Sequence, residues 1–174
     1  MQRAQQAGIT THVLTGEANS DRLEYDRALM EIIAIHQPDL LVLAGFMRIL
    51  SDEFVRHFRG KIINIHPSLL PKYPGMRTHQ RALAAGDKQH GCSVHFVTEE
   101  LDGGPIIAQM TCAVLATDTP ESLQQRVHTL EHQLYPLVLQ WFSENQLKLT
   151  NGTVLFDGKP LPGVGLQVNY HFNA

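Results

Sequence analysis

Asn64 and His66 lie two positions apart at the end of a short apolar run, residues 61–65 (KIINI), that predicts a buried strand. Side chains two apart on a strand point to the same face, and Pro67 ends the run directly after the histidine. An amide that holds a carbonyl oxygen, beside a protonated imidazole that meets the charge developing on it, suits chemistry on a carbonyl substrate. The same pair could instead satisfy loop carbonyls at an ordinary strand end, and spacing alone does not distinguish the two interpretations.

Asp102 is the acidic residue that could orient such a histidine. A carboxylate within a few ångströms would favour the charged imidazolium. Because residues 103–105 (GGP) follow it, an ordinary turn role is the alternative. His95 alternates with Ser93 and Val97 along a predicted strand, so we expect either a core histidine or a residue that supports the site from behind.

A rival chemistry comes from His128, Glu131 and His132, which match the H-x-x-E-H pattern of one class of zinc peptidase. The two histidines share a helix face at this spacing, but no companion pattern supplies a third ligand. Polar residues on the solvent side of an amphipathic helix would look the same. A zinc peptidase therefore remains an alternative, and a substrate-binding role for Glu131 also stays open.

The elements that must position these residues alternate between helix and strand. Asn19 and Ser20 are candidate caps for the first helix, which Pro38 stops. The predicted elements are helices at residues 21–36, 51–58 and 78–85, strands at 39–44, 61–65, 93–98 and 106–115, a long helix from Asp118 or Thr119, and a hairpin at 146–156. Glu121 is expected to complete a capping box at the long helix. This order predicts an α/β fold with a mostly parallel sheet flanked by helices, followed by a flexible tail at residues 160–174.

Composition limits the kind of partner. The chain has 174 residues, 43% hydrophobic and 18% charged, enough for one globular domain. Its net charge of -3 supplies no basic field for nucleic acid or anionic membrane, so we expect a small-molecule substrate. Cys92 and Cys112, the two cysteines, predict reduced thiols. Without a membrane-length apolar run or a signal-peptide pattern, a cytoplasmic location is expected, and the oligomeric state is left open.

Three blocks carry a resemblance to a known family: residues 64–75 (NIHPSLLPKYPG), 93–97 (SVHFV) and 101–105 (LDGGP). Together they closely resemble the formyltransferase family that acts on glycinamide ribonucleotide, and the similarity runs from about residue 3 to about residue 160. The resemblance implies a Rossmann-like formyltransferase fold without a metal. It also implies formyl transfer from 10-formyltetrahydrofolate to the amine of 5-phosphoribosylglycinamide, in de novo purine biosynthesis.

The resemblance assigns roles to individual residues. It implies that Asn64 and protonated His66 stabilise the oxyanion formed by attack of the amine on the formyl carbon, while Asp102 keeps His66 charged. Glu131 and Ser68 would contact the ribonucleotide, and His95 would support the site. The implied folate contacts are Arg22, Met47, Arg48, Ile49, Leu50, Asn64, Thr98, Glu99, Glu100, Leu101 and Asp102. Met47, Ile49 and Leu50 could equally be core residues at a strand end.

Two relatives share this catalytic trio. A formyltetrahydrofolate deformylase would admit water in place of the amine, and a methionyl-tRNA formyltransferase would need a further basic domain for tRNA. The ending of the first block, residues 72–75 (KYPG), resembles the ribonucleotide enzyme. The tRNA enzyme is disfavoured because neither a further domain nor a positive net charge is present.

The sequence departs from the family at its beginning. Family members open with a strand, a glycine-rich phosphate loop, a helix and a second strand, and roughly 40 residues of such a βαβ unit are not found before Thr10. Residues 11–14 would then be the family's third strand without its neighbours. We therefore expect residues 1–174 to form a single formyltransferase domain that is incomplete at its N-terminus. A non-catalytic folate-binding remnant is a further alternative.

Overall fold

A computed structural model describes residues 2–16 and 21–169 of the chain. The elements in chain order are α1 (Gln2–Gln6), α2 (Arg22–His36), β1 (Leu41–Leu43), α3 (Asp52–His57), β2 (Ile62–His66), α4 (Thr78–Ala84), β3 (Gln89–Phe96), β4 (Ile106–Ala113), α5 (Pro120–Ser143), β5 (Leu147–Thr150), β6 (Thr153–Phe156), β7 (Lys159–Pro160) and β8 (Leu166–Val168). The candidate caps Asn19 and Ser20 lie outside the described residues. The observed cap of α2 is Asp21, whose carboxylate accepts a hydrogen bond from the Leu23 amide at 2.9 Å.

The main sheet has five strands in the order β1-β2-β3-β4-β8. The β1-β2 and β4-β8 pairs are parallel, whereas β2-β3 and β3-β4 are antiparallel. The sequence predicts a sheet flanked by helices that is mostly parallel, with antiparallel neighbours allowed at residues 93–98 and 106–115; the described sheet is mixed, and β3-β4 is one of its antiparallel pairs. For the β3-β4 pair the physical reason is the connection of residues 97–105, which is long enough for a hairpin but too short for a parallel crossover. A smaller sheet, β5-β6-β7, contains the predicted hairpin.

Residues 11–14 are not a strand, although the family resemblance implies one there. The segment is held by a side chain of α2, because the Tyr25 hydroxyl approaches the Leu14 carbonyl oxygen at 3.5 Å. The guanidinium of Arg48 lies over the Tyr25 ring at 4.0 Å from its centroid. A strand needs a neighbour for its backbone groups, and none pairs with residues 11–14 within the described ranges.

The segment from residue 160 onward also differs from the flexible tail that the sequence predicts. Leu166–Val168 forms β8 and pairs in parallel with β4, with Gln167 opposite Gln109. The Gln167 side-chain amide donates to the Gln109 side-chain oxygen at 3.2 Å. Residues 166–168 are therefore paired with the main sheet, while the Leu161 amide donates to the Val154 carbonyl of the smaller sheet at 2.8 Å. Residues 170–174 lie outside the described ranges.

Helix α5 packs against β3 and β4 and provides much of the larger core. Its buried side chains follow the predicted three- and four-residue spacing: Leu123, Val127, Leu130, Leu134, Tyr135 and Val138. Thr119 caps the helix, and the reciprocal partner in its capping box is Ser122. Glu121 was the wrong partner because a box that begins at Thr119 needs its third helical residue, which is Ser122. No helix in residues 2–16 and 21–169 is long and apolar enough to cross a membrane.

A second hydrophobic cluster surrounds α3 and β2, with Leu50, Phe54 and Ile62 among its buried members. A buried carboxylate supports this cluster. Asp26 of α2 is only 1% exposed and accepts a hydrogen bond from the Ser51 amide at 2.6 Å. Ser51 in turn caps α3, so this contact fixes the chain directly after residues 47–50. Nothing in the sequence marks Asp26 as buried, since a charged residue in an amphipathic helix ordinarily faces solvent.

Candidate active site

Asn64 and His66 occupy the carboxyl end of β2, and the turn after β3 brings Asp102 to the same place. Nδ1 of His66 lies 3.4 Å from Oδ2 of Asp102, and Nε2 of His95 lies 3.8 Å from Oδ1 of the same carboxylate. The side-chain amide of Asn64 is 3.4 Å from Nε2 of His95. The structure thus brings together the three residues that the sequence suggests for chemistry and the histidine expected to support them.

The partners of His66 determine where its protons lie. Its Nε2 is 2.9 Å from the Tyr73 carbonyl oxygen, which can only accept, so Nε2 carries a proton. Nδ1 faces the Asp102 carboxylate, and a second proton there would lie between the ring and the carboxylate. Asp102 is therefore placed to pair with a doubly protonated imidazole.

Asp102 is held by a strained turn. Its φ of 52° lies in the left-handed region, which aspartate tolerates better than most residues. Its Oδ2 accepts a hydrogen bond from the Gly75 amide at 2.7 Å. At Gly104 a Cβ would lie 1.8 Å from the Phe96 carbonyl oxygen, so this close approach requires glycine. The turn interpretation and the functional interpretation of this segment are compatible.

His95 is a buried, supporting histidine. Its Nδ1 is 2.9 Å from the Phe96 carbonyl oxygen and must donate to it, which leaves Nε2 as the acceptor for the Asn64 amide. Burial lowers the pKa of His95, and this favours the neutral ring that such an acceptor requires. One amide N–H of Asn64 is engaged in this way, and the second remains for a ligand.

Residues 67–75, here called loop 67–75, connect β2 to the segment before α4 and are held from below by polar side chains. The Ser93 hydroxyl donates to the Ser68 carbonyl at 2.7 Å and accepts from the Leu70 amide at 3.0 Å. The Gln109 side chain donates to both the Leu70 carbonyl and the Ser93 hydroxyl at 2.8 Å. Sequence reasoning missed Gln109, although a polar residue within an apolar strand was an available signal.

Ser68 is fully buried, and its hydroxyl donates to the Lys72 carbonyl at 2.6 Å. The sequence resemblance implies a substrate contact for this residue. In the structure its side chain instead shapes loop 67–75. Its amide donates to the His66 carbonyl at 2.9 Å and its carbonyl accepts from Ser93, so Ser68 supports the loop from within.

Met47 and Ile49, which follow β1, are unusually exposed for apolar side chains, at 78% and 60%. Leu50 behind them is buried and belongs to the same hydrophobic cluster as Val97. The loops after β1 and β3 are therefore neighbours. Leu101, on the second loop, is also an exposed apolar residue.

The remaining residues for which the resemblance implies a folate contact lie in two places, the loop after β3 and the start of α2. Thr98, Glu99 and Glu100 lie between β3 and the Asp102 turn, and Glu99 forms an ion pair with Arg59 at 2.6 Å. Arg22 is exposed at the start of α2, and no hydrogen bond or ion pair in the described part of the chain links it to the trio.

The strand ends beneath the site are fixed by Tyr135 of α5. Its buried hydroxyl lies 2.8 Å from the Leu43 carbonyl oxygen and 3.1 Å from the Ile63 carbonyl oxygen. One side chain therefore links the end of β1, before Met47, to the residue that precedes Asn64. Burial raises the pKa of this hydroxyl, which stays a donor. Sequence reasoning missed this role because the two carbonyls lie 72 or more positions away.

Glu131 is half-buried on α5, and burial raises the pKa of its carboxyl group. His128 and His132 are exposed, with their ring centroids 4.2 Å apart. Across residues 2–16 and 21–169, no group of three or more His, Cys, Asp or Glu side chains is arranged to hold a metal. The zinc-peptidase alternative thus has no three-ligand set in the described chain. Both cysteines are free thiols.

Comparison with known proteins gives one consistent result. Residues 1–139 match the formyl transferase family. The chain is 53% identical over 165 residues to a phosphoribosylglycinamide formyltransferase of Escherichia coli (strain K12), covering 95% of this chain and 78% of that protein.

Solved structures agree with the sequence comparison. A phosphoribosylglycinamide formyltransferase from Coxiella burnetii, solved in complex with CHES, superposes with a TM-score of 0.90 at 51% identity, covering 95% of this chain and 78% of that one. A formyltetrahydrofolate deformylase from Pseudomonas syringae reaches a TM-score of 0.83 at 27% identity, over 89% of this chain and 52% of that one. The family resemblance and the fold class are confirmed: this chain belongs to the phosphoribosylglycinamide formyltransferase group of the formyl transferase family.

Proposed function

We propose that this protein transfers the formyl group of 10-formyltetrahydrofolate to the amine of 5-phosphoribosylglycinamide, a reaction of de novo purine biosynthesis. The observation that carries the proposal is the convergence of Asn64, His66 and Asp102 at one strand end, in a chain 53% identical to the Escherichia coli enzyme. The resemblance assigns catalysis to the same three residues.

In the proposed reaction the amine attacks the formyl carbon and electrons move onto the formyl oxygen. Asn64 donates its free amide N–H to this oxygen, and the protonated His66 ring donates a second hydrogen bond. Nε2 of His66 is bound to the Tyr73 carbonyl at 2.9 Å, so the Nδ1 proton is the one proposed to turn to the formyl oxygen. Asp102, 3.4 Å from Nδ1, keeps the ring charged as a neighbouring negative charge during this step. Collapse of the adduct breaks the bond to the folate nitrogen, which takes up a proton as the amine loses one.

The folate is proposed to lie between the loops that follow β1 and β3. Met47, Ile49 and Leu101 supply exposed apolar surface, which suits a flat pterin ring. Backbone groups of residues 98–102 can hydrogen-bond to the ring edges, while Arg22 and Arg48 supply positive charge for the carboxylates of the folate tail.

The ribonucleotide is proposed to contact Glu131 and the outer side of loop 67–75, whose shape the buried Ser68 maintains. A carboxylate accepts hydrogen bonds from sugar hydroxyls, and Glu131 is half-buried, which makes such bonds more favourable than at an exposed site.

A steady-state assay with purified protein tests the proposal. We expect formyl transfer from 10-formyltetrahydrofolate that depends on added 5-phosphoribosylglycinamide. Release of formate without the amine acceptor would favour the deformylase reaction. The Pseudomonas syringae protein of similar structure is named for that reaction. Folate binding with no turnover in either assay would favour a non-catalytic folate-binding protein.

A further inference from the structure

Two histidines outside the catalytic trio contact each other beside loop 67–75. Nδ1 of His79, on α4, lies 3.1 Å from Nε2 of His90, in β3, and the rings meet edge to face with centroids 5.2 Å apart. His90 is only 1% exposed. Burial lowers the pKa of His90 to about 4 and also lowers the pKa of His79. Both rings are therefore neutral near pH 7, and one must donate to the other.

The direction of this hydrogen bond follows from the other contact of His90. The His90 ring hydrogen-bonds to the backbone of Pro67, and a proline backbone offers only its carbonyl oxygen. Since Nε2 of His90 faces His79, Nδ1 is the nitrogen that donates to Pro67. A neutral His90 then has an unprotonated Nε2, so His79 must donate from its Nδ1.

His90 also contacts the residue that orients the catalytic histidine. Its ring lies edge to face against the Tyr73 ring, with centroids 6.3 Å apart. The Tyr73 hydroxyl donates to Asp87 at 2.8 Å, and the Tyr73 carbonyl accepts from Nε2 of His66 at 2.9 Å. Tyr73 has a left-handed φ of 58°, a conformation that its surroundings must hold. His90 thus contacts both ends of the loop segment that surrounds His66.

We infer that His79 is a positioning residue: through His90, its Nδ1–H fixes Pro67 and Tyr73 so that His66 keeps its proton on Nε2 and turns Nδ1 toward Asp102. The kinetic consequence of this inference rests on the proposed function, whereas the effect on the His66 ring does not. His79 is not itself expected to touch substrate.

The test compares two substitutions that differ only in where they place a donor. Asparagine puts its amide N–H near the position of Nδ1, while glutamine puts it near Nε2. We expect His79→Gln to lower kcat by about tenfold or more, because misplacement of a reacting group by about 1 Å costs up to about 10² in rate. His79→Asn is expected to restore kcat to within about threefold of the wild type. KM for the folate should stay unchanged in both, since its proposed slot is formed by other loops.

A second measurement does not depend on catalysis. Nitrogen-15 NMR of the His66 ring in the ligand-free protein, at a pH high enough that the ring carries a single proton, is expected to show one tautomer, protonated at Nε2, in the wild type and in His79→Asn. In His79→Gln, or in His79→Ala if the glutamine variant does not fold, both tautomers should be populated. An unchanged His66 spectrum in that variant would overturn the inference, as would an equal loss of kcat in the asparagine and glutamine variants. If the wild type transfers no formyl group, the proposed function fails and the NMR result alone decides the role of His79.

Discussion

Oδ2 of Asp102 lies 3.4 Å from Nδ1 of His66 and accepts a hydrogen bond from the Gly75 amide at 2.7 Å. One carboxylate therefore links the histidine at the strand end to the far end of loop 67–75. Because the Tyr73 carbonyl holds the other side of the same ring, the orientation of His66 depends on the loop and the turn together.

Removing the charge of Asp102 should impair catalysis without unfolding the turn. In Asp102→Asn the amide oxygen can still accept from Gly75, but the negative charge beside His66 is lost. We expect formyl transfer to fall by about 10²- to 10⁴-fold, the usual contribution of a positioned proton-transfer group. Steady-state kinetics measures this effect, with Asp39→Asn, at an exposed position, as the control. Turnover within about twofold of the wild type would contradict the assignment of Asp102.

Substitutions of Asn64 and His66 should reduce turnover much more than they reduce folate affinity. We expect His66→Ala and Asn64→Ala to abolish measurable turnover, because each removes a donor to the developing oxyanion. Calorimetric titration with a non-reactive folate analogue should show affinity largely retained, since the apolar slot around Met47 is intact. Unchanged turnover in either variant would refute its catalytic role.

The spacing of Asn64 and His66 could be predicted from the sequence because a strand of period two places both side chains on one face whatever the rest of the chain does. The same reasoning could not find Gln109 or Tyr135. Their partners lie 39 and 72 or more positions away, and only the completed sheet brings them together. The prediction of a flexible tail from residue 160 was wrong for a similar reason. The pairing of β8 with β4 depends on backbone hydrogen bonds, and these leave little pattern in a strand of three residues.

The glycine at position 104 should be intolerant of a side chain. In Gly104→Ala the new Cβ would lie 1.8 Å from the Phe96 carbonyl oxygen, so the backbone must move and carry Asp102 with it. We expect a loss of stability of about 1–3 kcal/mol, as for other overpacked sites, together with reduced transfer. Gly163→Ala is the matched control, because nothing lies within 4 Å of its Cβ position. Urea unfolding that shows equal stability for the two variants would contradict the prediction.

Removing the hydroxyl of Tyr135 should lower the free energy of unfolding more than removing the hydroxyl of Tyr25, another tyrosine on a helix. Tyr135→Phe keeps the ring but leaves the Leu43 and Ile63 carbonyls without this donor, and we expect a loss of about 1–3 kcal/mol. Tyr25→Phe removes a weaker contact of 3.5 Å from a half-buried ring and should cost less than about 0.5 kcal/mol. Urea unfolding at pH 7.5 measures the loss of stability in both variants. Equal stability of the two variants would show that the Tyr135 hydroxyl does not anchor the strand ends.

The buried His90 should make the protein less stable in mild acid. Its pKa falls from 6.5 to about 4 on folding, so between these pH values the unfolded chain binds a proton that the folded chain does not. Stability is therefore present above pH 6.5 and is lost as the pH falls toward 4, by roughly 3 kcal/mol at 1.36 kcal/mol per pKa unit. Urea unfolding from pH 7.5 to 4.5 measures this loss. His90→Gln keeps an acceptor for His79 and should show a smaller loss, whereas His132→Gln, at an exposed position, should follow the wild type. A His90→Gln curve parallel to that of the wild type would show that His90 does not cause the acid sensitivity.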